Sequence, residues 1–284
     1  MAVFDDLDFR TGNEPDLPPP SGRPPLWQPI AAGAVLVVLL LGLWYLGTHR
    51  KAPAPEPARP AARAAVEPPR RGAAEPGEAI DLPPIDESDA LIRTLVTRLS
   101  SHPKVAAWLT TDHLIRNIAA VINNVAEGDT PAKHLRAVRP AGAFPVKKAN
   151  GQTLIDPAGY KRYDAIADAV EAVDARGVAR FYATVKPRIS EAFVDLGTSD
   201  PDVDHAVERA IVMLLRTPIV DHDVQLRTDK VTYGFADPAL ENLSKVQRQF
   251  LRMGPRNVQR VQLKLREVAH YLGIPDAALP PPTR

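Results

Sequence analysis

Apolar positions divide the chain into three unlike stretches. Residues 30–47 read IAAGAVLVVLLLGLWYLG, a run of 18 without charge. At ~1.5 Å rise per residue such a helix spans roughly 27 Å, close to the hydrocarbon thickness of a bilayer. Trp27 precedes the run, Trp44 and Tyr45 lie near its end, and Arg50 and Lys51 stop it. Amphipathic aromatics at both ends suit the two membrane interfaces. A cleaved signal peptide would be more basic at its start and shorter in its apolar part. The pattern predicts a transmembrane helix over 29–48.

From about Asp86 onward the apolar residues take a helical period. Leu91, Ile92, Leu95, Val96 and Leu99 share one face behind Ser88 or Asp89 as cap. Leu114, Ile115, Ile118, Val121, Ile122 and Val125 form another, ended by Gly128. Asp156 and Pro157 open a helix with Tyr160, Tyr163, Ile166, Val170 and Val173 on its face. The next face holds Val178, Phe181, Tyr182 and Val185, and Pro187 predicts a kink or break before RISEAFVDLG. Asp200-Pro201 and Asp237-Pro238 predict two further helix starts. Ser244 and Gln247 make a capping-box pair. Gly254 can supply the left-handed end of that helix and Pro255 opens the last one, with Val258, Val261, Leu265, Val268 and Leu272 inward. One segment, VQLRTDKVTYGF at 224–235, alternates instead and predicts a β-hairpin.

The expected fold class is therefore mostly α: a multi-helix globular domain over 85–275 with a small β-hairpin, large enough to bury a core. Residues 1–28 are short, acidic and then Pro-rich, which predicts a disordered tail. Residues 49–84 are rich in Pro and Ala, which favours an extended linker. Residues 276–284 are expected as a second disordered tail.

Composition narrows the chemistry. There is no cysteine, which excludes disulfide scaffolds, thiolate metal sites and cysteine nucleophiles. The net charge of +1 is no footprint of a nucleic-acid binder, and no nucleic acid is expected as partner. None of the phosphate-loop, dinucleotide, nucleophile-elbow or zinc-protease motifs is present. No catalytic residue, cofactor or metal is assigned. Asp202 and His205 have helical ligand spacing, but acids are favoured in a first helical turn in any case.

The candidate binding residues are polar. Tyr160 and Tyr163 share a face beside Arg162; core tyrosines with polar tips are the ordinary reading and a ligand-stacking pair the sharper one. The C-terminal quarter is basic. Arg256, Arg260 and Lys264 are spaced by four and stack along one face, with Arg252 just before the Met-Gly-Pro break. Such a strip could meet phosphates, an acidic partner or anionic headgroups, although charge runs are more often solvated faces.

Several stretches resemble a known bacterial family. They are DESDALIRTLVTRL, DHLIRNIAAVINNVA, YKRYDAIADAVEAVD, ISEAFVDLG and, most specifically, the run from FADPALENLS to QFLRMGP. Together they look like the proteins catalogued as domain of unknown function 3014, over about Leu82 to His270. The resemblance implies an N-terminal anchor, a Pro/Ala spacer and a helical domain, and it implies no activity. The chain departs from the pattern at Arg188-Ile189, at Thr198-Ser199 and in the basic QRQF.

These observations lead to one expectation and two alternatives. The expected function is that of a single-pass envelope protein, its non-enzymatic binding or scaffolding domain held off the membrane by a spacer. Its partners are the membrane, entered by residues 30–47, and an unidentified protein or envelope component. The alternatives are an enzyme on an envelope polymer or lipid, and a cytoplasm-facing scaffold. Arg50, Lys51, Arg59 and Arg63 outnumber Arg23 across the run and favour the cytoplasmic orientation. Long domains translocate largely regardless of such charges, so the inner membrane with a periplasmic C-terminal domain is expected.

Overall fold

Helices form where the apolar period predicts them, and the computed structural model describes residues 76–198, 200–228 and 233–282. The predicted tail 1–28, the membrane run 29–48 and the spacer through residue 75 lie outside the described residues, as does the tip of the hairpin at 229–232. Among the described residues no helix is long and apolar enough to cross a membrane. In chain order the α-helices are α1 (Asp89–Thr97), α2 (Pro103–Trp108), α3 (Leu114–Ala126), α4 (Asp164–Glu171), α5 (Ala175–Leu196), α6 (Val203–Leu215), α7 (Pro238–Glu241), α8 (Lys245–Leu251) and α9 (Pro255–Tyr271).

The core is built around α3. Leu114, Ile115, Ile118, Ala119, Val121, Ile122 and Val125 are all essentially solvent-free. A helix apolar around most of its circumference has no face for water and must be wrapped. Helices α5 and α6 pack on it, and α9 closes over α4, α5 and α6. The α3 entrance is capped from another helix: the Asp89 carboxylate accepts from the backbone N–H groups of His113 and Leu114, each at 2.8 Å. A carboxylate at a helix N-terminus also meets the positive end of its dipole.

The mostly helical expectation holds, and the β element is larger than the one hairpin expected. Strands β1 (Val146–Ala149), β2 (Gln152–Ile155), β3 (Gln225–Arg227) and β4 (Gly234–Phe235) form an antiparallel sheet in sequence order. The predicted hairpin is β3–β4, with Leu226 opposite Phe235. The unpredicted β1–β2 hairpin turns on Asn150-Gly151, with φ of 51° and 74°. That pair of positive φ values is the tight-turn geometry that Asn-Gly favours. One sheet face, with Ile155, Leu226 and Phe235, covers a second small core completed by Phe144, Val224, Leu240 and Leu251.

Other departures have local causes. Asp156 caps as expected, accepting from Ala158 N–H at 2.9 Å, but residues 157–163 wind as 3-10 helix and α4 begins only at Asp164. Asp202, not Asp200, caps α6, because its carboxylate accepts from Asp204 N–H at 2.9 Å. Pro187 does not break its helix: α5 runs through it. Proline cannot donate to the carbonyl of Ala183 one turn earlier, and there the incoming chain packs. A Cβ on Gly77 would lie 2.7 Å from the Ala183 carbonyl carbon. Glu78 N–H donates to Thr184 Oγ1 at 2.9 Å, and Arg188 donates to the carbonyls of Pro83 (2.8 Å) and Leu82 (2.6 Å). The packed unit thus begins upstream of residue 85, at the strap 76–84. It also extends past 275, where Leu279 rests on the core and Arg266 donates to the Pro280 carbonyl at 2.7 Å.

Candidate functional site

The seven polar residues singled out in the sequence lie on two stretches of chain that pack together along one seam, though not all of them face it. Its first wall is the 3-10 segment Pro157–Tyr163 with α4; its second is α8, the Met253-Gly254-Pro255 corner and α9. Ser244 starts α8 with both halves of the capping box in place. Gly254 then takes φ 84° and ψ 160°, an extended conformation with positive φ rather than the left-handed helical end expected. Pro255 occupies the first turn of α9, where its missing N–H costs nothing.

Tyr160 lies directly beneath Gly254, and its own carbonyl accepts from Asn257 Nδ2 at 3.2 Å. The same amide reaches Asp164 Oδ1 at 2.9 Å and Met253 O at 3.1 Å, so the corner, the 3-10 segment and α4 share one buried knot. Tyr163 is in the main core, and burial raises its phenol above the usual range, with Arg162, Arg252 and Gln249 partly offsetting. Tyr160 is half-buried and likewise raised by burial. The two rings belong to different cores, so they form no open stacking pair.

Each cation but one has an internal task. Arg162 donates to the carbonyls of Ala143 (2.6 Å), Ala141 (2.8 Å) and Gly142 (2.8 Å), and to Pro140 at 3.4 Å. It holds a whole loop by its backbone, a role that suits five donors in a rigid fork. Arg252 ends α8, lies over the rings of Phe144 and Phe235 at 5.5 and 5.6 Å, and donates to Tyr233 O at 3.0 Å. Burial lowers its pKa. Arg260 meets Asp168 Oδ1 at 2.7 Å and also bonds Glu171, two carboxylates one turn apart on α4. Lys264 reaches the carbonyl at the end of that stretch, Val173 O, at 3.2 Å, and Glu267 at 2.5 Å. Arg256 is exposed and has no partner among the described residues. The strip spaced by four is thus a helix–helix clamp along most of its length, open only at Arg256.

Sequence reasoning passed over one cluster altogether. Asp204, in the first turn of α6, is 1% exposed. Its carboxylate accepts from Tyr182 Oη at 2.9 Å and from Lys186 Nζ at 2.5 Å, both on α5. Burial pushes its pKa up to about 6, against the pull of Lys186 and Tyr182. Burial and the neighbouring carboxylate hold the Tyr182 phenol well above its usual range. Tyr182 and Lys186 are one turn apart, a spacing visible in sequence, but nothing there places Asp204 opposite them. A cavity of about 130 Å³ opens between α1, α5 and the strap, lined in part by Glu78, Arg98, Asp174, Arg180 and Thr184. That is below the size of ordinary small-molecule sites. Among the described residues no group of three metal-ligating side chains gathers; His205 lies 3.7 Å from Asp202, while Arg209 takes Asp200 at 2.7 Å.

A family model described as a protein of unknown function, DUF3014, matches residues 114–269, which takes in α3 through α9 but for the last two residues. No curated protein and no solved structure matches the chain.

Proposed function

The chain belongs to the DUF3014 family, and from that premise we propose that it is a single-pass, membrane-anchored binding or scaffolding protein rather than an enzyme. Residues 30–47 serve as the anchor, the Pro/Ala-rich stretch that follows as the spacer, and the helical domain as the part presented to a partner. The C-terminal domain faces the periplasm.

The observation that carries this reading is the strap. Arg188 and Thr184 bind its backbone at three points along α5. A tether gripped before it reaches the first helix fixes the point at which the spacer joins the domain, which suits a module presented at the end of a spacer. The internal employment of Arg162, Arg252, Arg260 and Lys264 agrees with it, since those groups maintain a rigid body.

The absence of native cysteine makes the test direct. Ser101 is exposed at the surface of the domain. In a Ser101→Cys variant of the full chain, a membrane-impermeant maleimide is expected to label intact cells once the outer membrane is permeabilised. Labelling only after inner-membrane lysis would reverse the orientation. Recovery of the chain in the soluble fraction would end the anchor reading.

A further inference from the structure

Residues 130–155 contain Lys133, Arg136, Arg139, Lys147 and Lys148 and no Asp or Glu. The carboxylates bounding the stretch are committed elsewhere. Asp129 pairs with Lys245 at 3.0 Å, and Asp156 caps the following 3-10 segment. Lys147 is neutralised by Asp223 at 3.0 Å. Lys133, Arg136, Arg139, Lys148 and the nearby Lys161 are exposed and have no acidic partner among the described residues.

Tertiary contacts gather several of these charges. Arg162 grips the carbonyls of residues 140–143, so Arg139 and Lys161 each stand one residue from the same contact. Asp156 N–H donates to Pro145 O at 3.3 Å, which ties the start of β1 to the same segment. A chain of net charge +1 thus places Arg139 and Lys161 side by side, with exposed Lys133, Arg136 and Lys148 on the flanking 3-10 turns and strand β1, and with Asp223 of the neighbouring turn already engaged by Lys147.

We propose that this surface docks on the anionic phospholipid headgroups of the bilayer in which the chain is anchored. The proposal rests on the anchor reading above, which brings the domain within reach of a bilayer. Lipid fits better than nucleic acid for two reasons. The aromatic of the stretch, Phe144, is buried, so it offers no platform for base stacking. Arg136 sits in a 3-10 turn, Arg139 in a loop and Lys148 on an edge strand, so the charges are not carried by a helix that could enter a groove. Unpaired Lys and Arg held at a charged leaflet each strengthen association about fivefold.

The test uses the full chain in nanodiscs of phosphatidylcholine alone and of phosphatidylcholine with phosphatidylglycerol. Amide exchange over residues 139–144 is expected to slow on the anionic discs and to recover in high salt. The R136E/R139E/K161E variant should lose that protection, and R136K/R139K should keep it; should the triple variant not fold, the salt reversal on the wild-type chain decides. Equal exchange on both discs overturns the proposal, and so does protection by duplex DNA or an acidic peptide but not by phosphatidylglycerol. If the chain does not enter discs, the anchor reading fails separately. Vesicle co-sedimentation then reads the same surface: a loss of binding of more than about 100-fold in the triple variant, whose charges are reversed and not merely removed, supports it, and no preference for anionic vesicles overturns it.

Discussion

The ring of Tyr160 lies under Gly254 so closely that a Cβ on residue 254 would come within 2.4 Å of Tyr160 Cγ. Two demands meet at this position, since its φ of 84° already disfavours any side chain. Gly254→Ala is therefore expected to cost about 3 kcal/mol, summing backbone strain and overpacking. Urea unfolding should show a lower midpoint with an unchanged slope. In a Tyr160→Ala background the same substitution should cost less by only the overpacking share, because the strain remains; no cost in that background would show that the ring alone excludes a side chain.

Arg260 and Arg256 are one helical turn apart and should behave differently. Arg260→Ala breaks bonds to two carboxylates on α4 and is expected to cost about 1–2 kcal/mol. Arg256→Ala removes an exposed, unpartnered group and should stay within about 0.5 kcal/mol. Equal losses in thermal or denaturant unfolding would contradict the clamp.

Asp204 predicts an unusual pH dependence. Its folded pKa of about 6 lies above the ordinary carboxylate value of 3.8. The native state thus holds its proton more tightly than the unfolded chain. The stabilising contribution is complete below pH ~4 and is lost as pH rises through ~6. Asp204→Asn should become more stable relative to wild type by about 2 kcal/mol between pH 4 and 7. Unfolding curves at the two pH values measure this, and a constant difference would refute it.

The strap should be separable from the rest. Arg188→Ala removes the donors to Leu82 O and Pro83 O and is expected to cost about 2 kcal/mol. Cleavage after Glu78 by a glutamate-specific protease should accelerate accordingly, while exchange in α3 stays slow. An unchanged cleavage rate would mean that Thr184 and the packing of Gly77 hold the strap without it.

Much of the helical framework was legible in sequence because apolar period, caps and stops agree there. The faces of α3 and α9, the Ser244–Gln247 box and the Gly254-Pro255 corner were all readable this way. Asn150-Gly151 was an available hairpin signal that the alternation rule alone passed over, because the flanking strands carry Lys147 and Lys148 rather than a clean apolar face. Of the kink or break that Pro187 predicts, the break does not occur. The local penalty of the proline is real, yet tertiary packing around α5 outweighs one lost hydrogen bond.

The sequence by itself determined most of the helices, their apolar faces and the succession of a membrane-length run, a proline-rich stretch and a stretch of helical period. These depend on residues within a turn or two of one another. Tertiary structure alone decided which charges are spent and which are free. Arg260 finds its carboxylates across a helix–helix contact about 90 positions upstream, and Asp204 meets Tyr182 and Lys186 only when α5 and α6 pack. Charge spacing along a helix says which side chains share a face; only the opposing surface says whether that face is already occupied.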